Sequence, residues 1–394
     1  MAIRPEILTW ARETAGLSLE DAARAVGLKT ARGETGAERL AKLESGDSEP
    51  PRTLLEKMAK TYRRPLLVFY LSQPPKTGDR GHDFRTLPGK ERYNPDLDAL
   101  IRDIKGRQDL VRSILEDEET KPPDFVGVAT IDLPVKELAN RITKKFGIDL
   151  REYRAEKTPE AAFAYLRTKI EDAGVFVLLL GNLGSHHTNI PVEIFRGFAS
   201  ADRLAPMIVI NDQDVKSAWS FTALHELAHL WLGATGISGT DTTDKTEQFC
   251  NDVAGEILLP ATDLKLFTDV SSFEMTVKVI TEFAAHWRIS RPMIAYKLYR
   301  TGRISRPLWM QLDKHFYDEF AAFKQKQSEK QRASESSPNY YVVKRHRVGS
   351  ALLGLVRRAL DEGNITYTKA SRVLGVKPRN VEPLLSAGAS RGLR

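Results

Sequence analysis

Cysteine is almost absent from this chain, and long apolar segments are absent altogether. The 394 residues include one cysteine, Cys250, which excludes an internal disulfide framework and fits a reducing, cytoplasmic setting. No fully apolar run is longer than Val175–Leu180, which is far too short to span a bilayer. The N-terminus carries charge early and lacks the continuous apolar stretch of a secretory signal. We therefore expect a cytoplasmic protein with no membrane contact.

Acidic residues are sparse near the end of the chain, so that the net charge of +7 is unevenly distributed. The stretch Gln325–Arg394 is rich in lysine and arginine, for example at Lys344–Arg347 and Arg357–Arg358. Basic segments bind polyanions such as DNA, but a basic tail that only confers solubility has the same composition. Charge alone leaves these two interpretations equal.

Breaks in composition divide the chain into regions. Gln73–Gly78 is a turn-rich segment, and Ser328–Ser337 is a polar segment of low complexity, so both are predicted to be linkers. The predicted regions are 1–72, a compact helical block; 73–125, a linker and helical connector; 126–325, a central α+β domain; 326–340, a linker; and 341–394, a small basic helical domain.

Hydrophobic periodicity assigns elements to the central domain. Segments with a period of 3.6 are predicted to be helices, and short runs rich in Val, Ile and Leu are predicted to be strands. The helices are Val135–Phe146, Pro159–Ala173, Val215–Leu232 and Asp244–Leu259, and the strands are Val175–Leu180, Val192–Gly197 and Met207–Asn211.

The most specific pattern is HELAH at residues 225–229, within the predicted helix Val215–Leu232. His225 and His229 are four residues apart on one helix face, so both imidazoles can reach one zinc ion. Glu226 then lies beside the metal, where it can accept a proton from water as a general base. The pattern predicts a zinc-dependent peptidase site. The alternative is that the two histidines pack on the helix face without binding a metal and that Glu226 is solvated.

A third protein ligand is expected, because catalytic zinc sites use three and leave one position open. Glu247 and Asn251 are four residues apart on the next helix, so both can face the site. Glu247 would bind zinc, and Asn251 would hydrogen-bond a ligand histidine and fix its tautomer. Asp244–Glu247 also fits a capping box, which would use Glu247 on backbone N–H groups. Spacing leaves both roles open.

Phe221–Gly233 (FTALHELAHLWLG) and Glu247–Pro260 (EQFCNDVAGEILLP) together resemble the ImmA/IrrE family of metallopeptidases. The resemblance covers roughly residues 160–310. It implies His225, His229 and Glu247 as zinc ligands and Glu226 as the catalytic base. It also implies regulatory roles in bacterial stress and mobile-element control, often through cleavage of a repressor.

The fold class expected from these observations is multidomain and mainly α. It has a central α+β, zincin-like metallopeptidase domain, in which a small sheet accompanies the HExxH helix, and all-α domains at both ends.

Tyr296 lies in a helical segment beyond Pro260. The Tyr296 side chain would stabilise the transition state if this segment folds back over the zinc. The alternative is that Tyr296 is an aromatic side chain packed within the fold.

The N-terminal block resembles an Xre-type helix-turn-helix domain, through GLSLEDAARAVG (residues 16–27) and RLAKLESGDSEPPRTLLEKMAKTY (residues 39–62). In such domains the second helix of the motif enters the major groove. Arg39 would then contact a base edge, and Lys42, Arg32 and Arg52 would contact phosphates. KTARGET (residues 29–35) is an insertion between the two helices of the motif. The alternative to DNA binding is that this block is a protein-docking module.

The C-terminal block, about Gly349–Leu385, is predicted to be helical and to contain a second helix-turn-helix-like unit. This unit would bind DNA or a partner protein. The alternative is a helical cap on the peptidase domain, and the sequence favours neither interpretation.

The predicted function is a zinc endopeptidase coupled to a DNA-binding domain, which cleaves a regulatory protein such as a repressor in bacterial stress, phage or mobile-element control. The alternative is a DNA-binding regulator or an antitoxin whose zinc site is sensory or structural. The expected partners are operator DNA and a repressor or toxin, and a homodimer is left open.

Overall fold

The structure is a computed structural model that describes residues 3–75, 94–185, 188–238, 245–266, 272–332 and 339–387. The chain forms two compact units, of which the first takes in Met1–Arg85, Glu91–Asp103 and Asn182–Thr188 and the second takes in the rest. The predicted class, mainly helical with one small sheet, is confirmed. None of the described helices combines the length and hydropathy needed to cross a membrane.

Four short helices begin the first unit. They are α1 (Pro5–Glu13), α2 (Leu19–Val26), α3 (Gly36–Ser45) and α4 (Arg52–Thr61), followed by a 3-10 helix at Leu66–Tyr70. The Ser18 side chain accepts a hydrogen bond from the Asp21 backbone N–H and caps α2, which ends at Gly27 in the left-handed conformation. Thr35 and Glu38 cap the start of α3 reciprocally. The helices expected in this block are therefore present.

The second unit holds the sheet and most of the helices. The next elements in chain order are α5 (Pro95–Asp117, whose residues up to Asp103 count with the first unit), α6 (Val135–Phe146), α7 (Leu150–Ala155), α8 (Pro159–Asp172), β1 (Phe176–Leu179), β2 (Gly197–Ser200), β3 (Met207–Ile210), α9 (Lys216–Leu232), β4 (Gly236–Ser238), α10 (Lys245–Leu258), α11 (Phe273–Trp287), α12 (Arg291–Arg300), α13 (Arg306–Arg332), α14 (Tyr340–Val348), α15 (Ser350–Asp361), α16 (Tyr367–Leu374) and α17 (Val381–Ser386).

The sheet has the strand order β1-β3-β2-β4 and is mixed. β1 pairs with β3 in parallel, while β2 is antiparallel to both β3 and β4. Every residue of β1, β2 and β3 is buried, which explains why their sequences are nearly continuous apolar runs. Helix α9 packs against β2 and β3, so the sheet supports the helix that carries the HELAH pattern.

The C-terminal end of α9 is fixed by a close backbone contact. Gly233 ends the helix in the left-handed conformation, with φ 67°. The backbone N–H of Gly127 donates to the Leu230 carbonyl at 3.0 Å, and that of Ala129 donates to the Trp231 carbonyl at 2.9 Å. These bonds satisfy carbonyl groups that a helix end leaves without partners.

The strand predicted at Val192–Gly197 is wrong; the strand begins only at Gly197. The buried Asn211 side chain donates from Nδ2 to the carbonyl oxygens of Ile190 and Phe195, both at 3.0 Å. These two bonds hold the intervening residues in a turn. Asn211 lies well beyond this segment in sequence, so the local pattern of Val and Ile did not reveal the turn.

The linker predicted from Ser328 is wrong up to Arg332, because α13 continues to that residue. Residues 328–332 are polar, but Glu, Lys, Gln and Arg all have high helix propensity. A polar composition therefore permits an extended helix here. Residues 333–338 of the predicted linker lie outside the described part of the chain.

The C-terminal helices are part of the second unit, where α14 packs on β1 and α15 packs on α8. Arg167 and Glu171 of α8 form a buried ion pair, with Nε 3.0 Å from Oε1. Arg167 also donates to the backbone carbonyl of His346, and Glu171 accepts the backbone N–H of Ser350 at 3.0 Å. These contacts correspond to the helical-cap interpretation of the block.

Several basic side chains of the C-terminal stretch make contacts inside this unit. Arg345 donates to the carbonyl oxygen of Leu384 at 2.7 Å and so satisfies a group near the end of α17. Arg347 pairs with Asp212 at 2.7 Å. Two of the basic residues that suggested a polyanionic partner therefore hold the C-terminal helices in place: Arg345 joins α14 to α17, and Arg347 joins α14 to Asp212.

Candidate metal centre

Helix α9 places the two histidines of HELAH together in the interior. His225 and His229 are 4% and 3% exposed. Their Nε2 atoms lie 3.0 Å apart, so both point toward the same position. Zinc–nitrogen bonds of about 2.0–2.1 Å from both rings can meet there. The alternative of two histidines packed separately on a helix face does not describe this geometry.

Glu247 reaches the same position from α10. Its Oε2 lies 3.3 Å from Nε2 of His225, and its Oε1 lies 3.1 Å from Nε2 of His229. The three residues form a group whose ligand atoms all lie within 4.8 Å of one another and could hold a metal ion. The capping-box alternative involves Asp244, which lies outside the described residues, and the Glu247 carboxylate faces the imidazoles.

The charges of the group suit metal binding. Burial raises the pKa of Glu247, but hydrogen bonds and charge interactions with His225 and His229 outweigh it and bring the pKa to about 2. Burial, the largest effect, lowers the pKa of His225; His229 lowers it further, while Glu247 and Asn251 oppose the shift. An ionised carboxylate and a neutral imidazole are the forms that coordinate metals.

The predicted outer residues take different positions. Asn251 lies close enough to His225 to affect its pKa, but neither His225 nor His229 has a hydrogen-bond partner at Nδ1 among the described residues. The orienting role of Asn251 therefore stays a prediction. Glu256, the other glutamate of α10, pairs with Lys297 at 2.6 Å.

Glu226 and Tyr296 border one cavity beside the histidines. Glu226 is fully buried. The cavity has a volume of about 250 Å³, and its lining includes His225, Glu226, Asn251 and Tyr296. The Tyr296 hydroxyl is buried and has no hydrogen-bond partner in the described structure. Burial raises the pKa of Tyr296 to about 12, so the phenol keeps its proton and can donate it in a hydrogen bond.

Residues 184–299 match the family model of the IrrE N-terminal-like domain, Peptidase_M78. The matched range contains His225, Glu226, His229, Glu247 and Tyr296. No curated protein and no solved structure matches the chain. The match and the geometry together indicate a metallopeptidase-like domain, here the IrrE-like domain (residues 184–299).

Other residues of the cavity were missed by sequence reasoning. Arg196, Gly197, Trp309 and Asp313 come from segments far from HELAH in sequence; three of them line the cavity, and Gly197 lies against Glu226. None of them belongs to a recognisable spacing pattern. They come together because β2 packs against α9, while α13 packs against α12, which contributes Tyr296 to the same cavity. No sequence signal therefore identified them.

The four predicted DNA contacts lie in the first unit, and three of them make surface interactions within it. Arg39 donates from Nη1 to the Lys29 carbonyl at 2.7 Å. Lys42 pairs with Glu34 at 2.5 Å, and Arg52 pairs with Glu56 at 3.1 Å. Arg32 is exposed in the connection between α2 and α3, at φ 54°. A backbone bridge between Ala31 and Glu34 orders this inserted connection.

Proposed function

We propose that the IrrE-like domain is a zinc-dependent endopeptidase. The observation that carries the proposal is the convergence of His225, His229 and Glu247 on one position beside the buried Glu226. Two histidines and one glutamate are the ligand set of several zinc peptidases, and they leave a coordination position open. Glu226 is not a member of the ligand group, so a purely structural metal site would not require it.

The residues divide the chemistry between them. Zinc, when held by the three ligands, supplies a Lewis acid that polarises the peptide carbonyl and lowers the pKa of water. Glu226 accepts the proton of the attacking water and passes it to the nitrogen of the leaving amine. The Tyr296 hydroxyl donates a hydrogen bond to the carbonyl oxygen as negative charge develops there. The cavity orients the peptide between these two groups.

We propose a regulatory polypeptide, such as a repressor, as the substrate. This part of the proposal draws on the resemblance to the ImmA/IrrE family and on the fusion to a small helical N-terminal unit. The alternative is a DNA-binding regulator or an antitoxin whose zinc site is sensory or structural, and such a site has no need of Glu226.

The test is hydrolysis of a mixed peptide library by the purified protein. We expect new peptide termini with zinc present, none after chelation, and recovery when zinc is restored. The decisive comparison uses the Glu226→Gln variant, which should bind zinc and leave the library intact. A library left unchanged by the zinc-loaded wild type contradicts the proposal.

A second proposed function is DNA binding by the first unit. The side chains of Lys42 and Arg52 are 51% and 80% exposed. Exposed ion pairs contribute little energy, at most about 1 kcal/mol, so phosphate can replace their carboxylate partners. Binding of a labelled DNA duplex should weaken as the salt concentration rises, and it should be weaker in Arg39→Ala and Lys42→Ala. The control is Lys136→Ala, which removes an exposed charge from the second unit and should leave binding unchanged. Absence of salt-dependent binding contradicts this function.

A further inference from the structure

The catalytic cavity opens into a larger groove. The groove has a volume of about 680 Å³ and shares Arg196, Trp309 and Asp313 with the lining of the 250 Å³ cavity. Binding pockets for whole ligands usually measure about 300–1,000 Å³. The cavity by itself is smaller than this, so a polypeptide held near Glu226 must continue beyond it, and the groove provides the continuation.

One wall of the groove is a single face of α13. Met310, Asp313, Tyr317 and Phe320 follow one another at helical spacing and all line the groove. Met310 and Tyr317 are 56% and 44% exposed. Large apolar side chains exposed together in a concave surface favour an apolar ligand. The face is continuous with the catalytic cavity, and this continuity identifies the ligand as the substrate chain.

Asp313 occupies the junction of cavity and groove. Within the described part of the chain, no ion pair or hydrogen bond engages its carboxylate, although Arg196 interacts with it over a longer distance. Arg196 itself pairs with Asp214 at 3.5 Å. The other cations of the groove are Arg291, Arg306 and Lys314, and none of them lines the catalytic cavity; Arg291 pairs with Glu319 at 2.6 Å. The junction therefore offers a carboxylate that can accept a cationic group from the ligand.

We propose that this groove binds an extended, apolar segment of the substrate on one side of the scissile bond, and that Asp313 binds a lysine or arginine side chain of the substrate where the groove meets the catalytic cavity. The inference rests on the proposed peptidase function, because that function makes a polypeptide the ligand. Asp313 is then a specificity-determining residue, and Met310 and Tyr317 supply the apolar contact. A carboxylate at such a position selects a cation through charge-assisted hydrogen bonds.

The experiment measures binding without cleavage. The zinc-loaded Glu226→Gln protein is titrated with fluorescein-labelled peptides of alanine and leucine in which a single lysine occupies each position in turn. A matched set carries glutamine instead. We expect one lysine peptide to bind about tenfold more tightly than its glutamine twin, the size of one charge-assisted hydrogen bond. Equal affinities at every position, including no measurable binding, overturn the inference.

Two matched pairs of variants on α13 locate the effect. Asp313→Asn should abolish the preference for lysine, while Asp318→Asn, an exposed aspartate outside the groove, should retain it. Met310→Ser should weaken both peptide sets, while Phe323→Ser, equally apolar and 61% exposed but outside the groove, should not. Equal effects within either pair overturn the assignment.

Cleavage of the same peptides by the wild-type protein separates this inference from the proposed function. Peptides that bind through Asp313 but are never cut contradict the peptidase proposal alone. Peptides that are cut with no preference for a basic residue contradict the role of Asp313 alone.

Discussion

Gly197 of β2 lies directly against the carboxylate of Glu226. A Cβ atom at position 197 would stand 2.7 Å from Oε1 of Glu226 and 2.6 Å from Cγ2 of Thr222. Both distances are shorter than van der Waals contact. Glycine at this strand position therefore provides the space that the buried Glu226 side chain occupies beside the histidines.

Gly197→Ala should displace Glu226 and reduce peptide hydrolysis while zinc binding persists. Misplacement of a catalytic group by about 1 Å can cost roughly a hundredfold in rate, so we expect a kcat between about tenfold and a hundredfold lower. Steady-state kinetics and metal analysis measure the two effects. Gly354→Ala is the control, because a Cβ there meets no atom within 4 Å. Unchanged kcat in Gly197→Ala would show that Glu226 has room to move.

Tyr296→Phe should lower kcat and leave KM nearly unchanged, because the hydroxyl acts on charge that develops only in the transition state. The expected loss is about 10²-fold to 10³-fold if the phenol is a principal donor. Tyr299→Phe is the control on the same helix, since Tyr299 stacks on Trp309 at 4.9 Å and does not line the cavity.

The pH profile provides a second readout for Tyr296. Its pKa is raised to about 12, and a raised phenol pKa means that the proton is retained as the pH increases. The wild-type rate should thus show no decline from phenol ionisation in the mildly alkaline range. A tyrosine-dependent decline near the ordinary pKa of 10 would place the hydroxyl in water instead.

Zinc should stabilise the folded protein, and Glu247 should be required for this effect. A ligand at a free concentration a hundred times its Kd stabilises the state that binds it by about 2.7 kcal/mol. Urea unfolding with and without zinc should show a difference of that order in the wild type and a smaller one in Glu247→Gln. Glu256→Gln should behave like the wild type toward zinc, because Glu256 bonds Lys297. An equal zinc response in Glu247→Gln would remove Glu247 from the ligand set.

Breaking the ion pair that anchors the C-terminal helices should destabilise the second unit. Glu171→Gln leaves the Arg167 side chain, which is 9% exposed, without its charged partner. Loss of one member of a buried pair costs about 3–5 kcal/mol. Glu137→Gln breaks a pair with the same spacing that is about half exposed and should cost at most about 1 kcal/mol. Similar unfolding free energies for the two variants would contradict the anchoring role.

The sequence predicted the elements whose determinants are local. Val215–Leu232 is predicted to be a helix and the observed helix is Lys216–Leu232, because the apolar periodicity lies within the segment and Gly233 follows it directly. The cap of α2 is local in the same way, because Ser18 accepts a hydrogen bond from the backbone N–H of Asp21, three residues on. Helix geometry also predicted that His225 and His229 share a face, because the spacing of two residues on a regular helix determines the directions in which their side chains point.

Contacts between segments that are distant in sequence could not be predicted from local patterns. The turn before β2 depends on Asn211, and the shape of the catalytic cavity depends on Gly197 and Asp313, which no spacing links to HELAH. The internal contacts of Arg345 and Arg347 were hidden for the same reason: composition records a charge but not its partner. Packing of distant elements decides these features.

We propose that Glu226 transfers the proton at a metal centre formed by His225, His229 and Glu247. The most direct measurement compares wild type and Glu226→Gln for zinc stoichiometry and for hydrolysis of one library peptide under saturating conditions. We predict one zinc ion per chain in both proteins and a kcat lower by about 10²-fold to 10⁴-fold in the variant, the usual contribution of a general base. Equal kcat values at equal zinc content would show that Glu226 does not act as the general base.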